Sequence, residues 1–71
     1  MSSEGFGRRL RQARERRGLL GEQVAAELGC NVRTLYRWER GEFDPSMDAL
    51  RRLSKIYGVN IHDLVFGDTA A

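Results

Sequence analysis

The sequence predicts an all-α protein, a compact bundle of five short helices in one small domain. Helical apolar periodicity recurs along the whole chain and strand alternation occurs nowhere. The apolar stripes are bounded by Asn, Ser and Gly at positions suited to caps and stops. A chain of 71 residues buries only about 60% of the surface its unfolded form exposes, so a core and an enclosed cleft do not fit together.

Each element has its own signals. Phe6, Leu10 and Ala13 form the stripe of the first helix, which Gly18 stops after a basic last turn. Val24, Ala25 and Leu28 make a second stripe, ended by Gly29, which accepts the left-handed backbone of a tight turn. Asn31 is a fitting N-cap for a third helix with Val32, Leu35 and Trp38 on its buried face, closed by Gly41. Ser46, just after Pro45, caps a fourth helix with the stripe Met47, Leu50, Leu53, Ile56 and Tyr57, stopped at Gly58. Asn60 and Asp63 resemble a capping box opening a fifth helix with Ile61, Leu64, Val65 and Phe66. The expected domain is 1–71, with an ordered core over about 5–67 and a short disordered tail.

Composition excludes several function classes. The chain has one Cys and one His, no phosphate-cradling glycine loop and no nucleophile beside a base, so neither catalysis nor a metal or cofactor is expected. It shows no apolar run of membrane-spanning length and no signal-peptide core. A lone cysteine forms no internal disulfide; Cys30 is read as a buried, inert thiol. The expected setting is the cytoplasm, in association with the nucleoid. The net charge is +2, and Lys55 is the lone lysine among twelve basic residues. Arginine's planar fork suits phosphate and guanine, yet mixed charge is also what solvated helix faces carry, and charge alone leaves both readings open.

Spacing separates them. Ala25, Gly29, Leu35 and Trp38 place a small residue where two helices cross, a glycine at the turn and an apolar pair to anchor the second helix on the first. This leaves Arg33, Tyr36, Arg37 and Arg40 on the opposite face of the third helix, with Thr34 near its start. In a helix-turn-helix that helix enters the DNA major groove.

With "LRQARERRGL", "VAAELGCNVRTLYRWERGEFDPSMDALRRLSKIYGV" and "IHDL" at these separations, the chain resembles the phage repressor and Cro-type (XRE-like) helix-turn-helix proteins over almost its whole length. The resemblance implies a lambda repressor-like bundle that binds double-stranded operator DNA as a homodimer. It implies that Val32, Arg33 and Thr34 face base edges, and that Tyr36 and Arg37 reach a base or a phosphate one turn later. Arg33 is the first choice for readout, since a guanidinium bonds bidentately to guanine O6 and N7. Arg40 falls where the family contacts the DNA backbone, and Arg8, Arg9 and Arg11 are further phosphate candidates. Arg14 and Glu39 match a family pair that positions the recognition helix. Some of Ile61, Leu64, Val65 and Phe66 are expected at the dimer interface, because so many apolar residues exceed what one short helix buries.

One departure bears on binding. Where the family has a Ser or Thr cap followed by a phosphate-contacting Gln, this chain has Leu20 and Gly21. Gly21 is expected to cap the second helix itself and offer its backbone to a phosphate, and Gln23, displaced from the usual position, is a further candidate for the DNA backbone. Trp38 is assigned to the core, and Arg51, Arg52, Lys55 and His62 to a solvated surface. A small-molecule ligand is not expected in a chain with no sensor domain. The alternative reading is a protein-interaction module that keeps the fold, binds DNA weakly and acts through its apolar C-terminal helix.

Overall fold

A computed structural model describes residues 3–67, giving the backbone alone for Ser3 and Glu4. The expected tail, residues 68–71, lies outside the described residues. The helices are α1 (Ser3–Arg16), α2 (Gly21–Leu28), α3 (Val32–Glu39), α4 (Met47–Tyr57) and α5 (Ile61–Phe66), with no strand among the described residues.

The expected polar caps form. The Asn31 side chain accepts from Arg33 N–H at 2.8 Å, Ser46 from Ala49 N–H at 3.1 Å and Asn60 from Asp63 N–H at 2.8 Å. Each satisfies a backbone donor that the first helical turn leaves open. The exception is α2, whose N-cap is Leu20 rather than Gly21. Leucine has no side-chain acceptor, so only half of a capping box forms here: Gln23 Oε1 accepts from Leu20 N–H at 2.8 Å.

The core takes Leu10 and Ala13 from α1, Val24 from α2, Leu35 and Trp38 from α3, Leu50, Leu53 and Tyr57 from α4, and Leu64 from α5. Burying each leucine side chain is worth about 1.5–3 kcal/mol. Two residues leave the stripes predicted for them. Met47 stands exposed at the first position of α4. Val32, half-buried at the first position of α3, lies outside the core cluster.

Arginine side chains join elements that are remote in sequence. Arg9 donates from Nε to the Leu64 carbonyl at 2.9 Å and from Nη2 to the Val65 carbonyl, holding the last turn of α5 against α1. Arg52, expected on a solvated face, donates to the Glu27 carbonyl at 2.9 Å and the Leu28 carbonyl at 3.2 Å, capping the C-terminus of α2 from α4.

Candidate nucleic-acid interface

Geometry at the α2–α3 corner is set by Gly29. Its φ of 72° and ψ of 30° are left-handed, and the Cys30 N–H then returns to the Ala25 carbonyl at 3.0 Å. A Cβ at Gly29 would meet nothing within 4 Å, so the glycine is required by its backbone angle and not by space. Ala25 is buried at the crossing, and Leu35 and Trp38 face the core.

The far end of α3 is held by Arg14 of α1. Its Nε and Nη2 donate to the two Glu39 carboxylate oxygens at 2.8 and 3.1 Å, and Nη1 donates to the Leu19 carbonyl at 3.0 Å. The side chains are only 13% and 5% exposed. The Glu39 hydrogen bond holds the Arg14 proton more firmly than usual, against the opposing effect of burial. Gly7 sits where α1 packs tightly against the end of α3: an added Cβ would lie 2.5 Å from the Glu39 carbonyl oxygen. The Tyr57 hydroxyl is buried with no hydrogen-bond partner among the described residues. Burial raises its pKa, the Glu39 charge adds to the rise and Arg14 opposes it.

Locked in this way, α3 turns Arg33 and Arg37 to solvent, followed by the exposed Arg40 at its C-cap, with Val32 and Thr34 half-exposed at its start. Arg37 lies over the exposed Phe43 ring, 5.7 Å from its centroid. Arg40 pairs with Glu42 at 2.6 Å on the surface. Tyr36 is half-buried and packs on Gly21 at the start of α2.

The sequence profile described as "Helix-turn-helix domain" matches residues 6–65. The chain belongs to the helix-turn-helix family, in its phage-repressor, XRE-like branch. Among its relatives is the HTH-type transcriptional regulator DdrOP3 of Deinococcus deserti, 39% identical over 59 residues, covering 83% of this chain and 46% of that one. The cryptic phage CTXphi transcriptional repressor RstR of Vibrio cholerae is 35% identical over 60 residues, 84% of this chain and 54% of the repressor. The HTH-type transcriptional regulator ImmR of Bacillus subtilis is 34% identical over 63 residues, 89% of this chain and 50% of that one. The chain thus spans about half the length of these relatives. No solved structure matches it significantly. No helix among the described residues is long and apolar enough to cross a membrane.

Within the helix-turn-helix frame, the residues expected at DNA do not all face one way. Arg33, Arg37 and Arg40 share the outer face of α3, and Arg11 lines a groove with Arg14, Tyr36, Glu39 and Arg40. Arg11 also pairs with Glu15 at 3.2 Å in the open. Arg8 is exposed on α1. Three of the expected backbone contacts are engaged within the chain itself. Arg9 is engaged with carbonyls of α5, which draws its guanidinium inward. Gly21 is buried, and the Tyr36 phenol fills the space beside it where a Cβ would stand. Gln23 closes the Leu20 cap and borders a separate depression with Arg16, Arg17 and Glu27.

The expected dimer contacts also divide. Leu64 is 1% exposed and belongs to the core of its own chain, so it has no surface to offer a second subunit. Ile61 and Val65 are half-buried against that core, while Phe66 is 55% exposed, its ring 4.9 Å from that of His62. Sequence reasoning missed Arg52, Gly7 and the reason for Gly21. A glycine inside a helical stripe was the available signal for Gly7, since helix interiors disfavour it, whereas Gly21 at a helix start carried no such signal.

Proposed function

We propose that this chain is a sequence-specific DNA-binding transcriptional regulator of the repressor and Cro kind, acting as a homodimer on a pseudo-palindromic operator. The observation that carries the reading is the solvent-facing row of Arg33, Arg37 and Arg40 on a helix fixed at its start by the Gly29 turn and at its end by Arg14–Glu39. A rigid helix costs little to order on binding, so its side chains arrive at the groove already aimed. Arg33 reads a guanine, Val32 and Thr34 offer apolar and hydroxyl contacts beside it, and Arg37 and Arg40 bind further along the groove or its phosphates. The relatives named as regulators and repressors support the same reading. Phe66, with Ile61 and Val65 beside it, is the apolar surface for a second subunit, and such a dimer sets two recognition helices about 34 Å apart.

The test is selection of bound sequences from a random DNA pool, then titration of the winner against scrambled DNA at two salt concentrations. A two-fold symmetric motif bound about 10³-fold or more above scrambled DNA is expected. A second reading, a protein-interaction module, is favoured by Leu20, 62% exposed where a polar cap would serve a phosphate. Weak binding with no enriched motif would select it.

A further inference from the structure

We propose that Tyr36 grips the DNA backbone and not a base edge, and that Gly21 is the positioning residue that seats it there; the inference rests on the DNA-binding reading above. A Cβ added at Gly21 would lie 2.5 Å from Tyr36 Oη, 2.6 Å from Cε1 and 2.7 Å from Cζ. The phenol therefore fills the volume that any other residue at position 21 would claim. Gly21 is not among the glycines of positive φ, so the backbone would accept a side chain there and it is the ring that would have to shift.

This contact turns the ring tip toward the first residue of α2. The first turn of α3, where Val32, Arg33 and Thr34 stand, is left to other side chains. The groove the ring shares is lined by Arg11, Arg14, Glu39 and Arg40. Glu39 is already matched by Arg14, whose guanidinium also holds the Leu19 carbonyl. The charges left facing solvent are those of Arg11 and Arg40, each carrying an exposed glutamate partner that a stronger anion can displace. A tyrosine that shares its groove with two exposed guanidinium groups suits a phosphate oxygen, an acceptor carrying charge. Leu20 brings no side-chain acceptor to this end of α2, and the Gln23 oxygen there already accepts from Leu20 N–H.

The experiment titrates the wild type, Tyr36→Phe, Gly21→Ala and Arg33→Ala against the selected operator and scrambled DNA, after a thermal melt of each. Tyr36→Phe keeps the ring that covers Gly21 and removes only the hydroxyl. It should weaken binding to both DNAs by the same factor, about tenfold, with the salt slope unchanged because no charge is lost. Gly21→Ala should show a similar sequence-independent loss with the phenol still present, and should add little to Tyr36→Phe. If Gly21→Ala melts too low to assay, Gly21→Ala with Tyr36→Leu relieves the collision and should fold while showing the same loss. A loss confined to the operator would make Tyr36 a base reader and overturn the proposal, as would unchanged affinity for both DNAs. Relaxed preference in Arg33→Ala beside an inert Tyr36→Phe would overturn it alone. A wild type that binds neither DNA overturns both this inference and the reading beneath it.

Discussion

Replacing Glu39 by glutamine isolates what holds the recognition helix. The substitution keeps length and shape but leaves the Arg14 guanidinium, only 13% exposed, opposite a neutral amide. Breaking one side of a buried pair costs about 3–5 kcal/mol, whereas an exposed pair is worth about 1 kcal/mol or less. The Leu19 carbonyl remains at 3.0 Å and the amide oxygen can still accept one hydrogen bond, which favours the lower end, about 3 kcal/mol. A chain of 71 residues has a total stability of about 4–10 kcal/mol at roughly 0.05–0.15 kcal/mol per residue. The loss is therefore a large fraction of the whole and should lower Tm by about 12–24 °C. Urea unfolding followed by circular dichroism should show a reduced midpoint with an unchanged slope. Glu15→Gln, which breaks the exposed Arg11–Glu15 pair, is the internal control and should cost roughly half a kcal/mol at most. A loss below about 1 kcal/mol for Glu39→Gln would mean the pair behaves as an exposed one, and the argument that it fixes α3 would fail.

Tyr57→Phe removes a buried hydroxyl with no partner among the described residues, so it should be neutral or stabilising by about 1 kcal/mol at neutral pH. Because the folded phenol titrates above the ordinary value of 10.0, wild-type stability should be full below that pH and fall as pH rises beyond it. That component should be absent from the Phe variant's alkaline unfolding curve; an identical alkaline loss would contradict the assignment. Leu20→Ser supplies the missing acceptor at the start of α2 and should stabilise by about 1 kcal/mol in urea unfolding. Leu64→Ala should cost about 2–5 kcal/mol independently of protein concentration, since the residue is core; a loss that vanishes at high concentration would return it to an interface. Arg33→Ala should cost about 1–3 kcal/mol of operator affinity and relax preference at one base pair, as read from titration of operator variants.

The arginines show why a charge count overstates a nucleic-acid surface. Twelve basic residues are present, yet Arg9 and Arg52 are bonded to backbone carbonyls and Arg14 to Glu39 and Leu19. Salt dependence of binding should follow the exposed set, which includes Arg8, Arg11, Arg33, Arg37 and Arg40, and not the total.

The sequence by itself determined the number and order of helices, the caps at Asn31, Ser46 and Asn60, and the turn at Gly29. Those features are local: a cap needs a polar atom within three residues, and a left-handed turn needs a glycine at one position. The Arg14–Glu39 pair was legible only through the family resemblance, because nothing local links residues 25 apart. Tertiary structure alone decided the rest. A carbonyl acceptor has no signature of residue type, so Arg9 reaching α5 across 55 positions could not be read. Periodicity marks which residues are apolar but not which neighbour covers them, so Leu64 went to the core and Phe66 to the surface. Gly7 and Gly21 are empty because a carbonyl and a phenol from α3 occupy the space, and that exclusion exists only once the helices have packed.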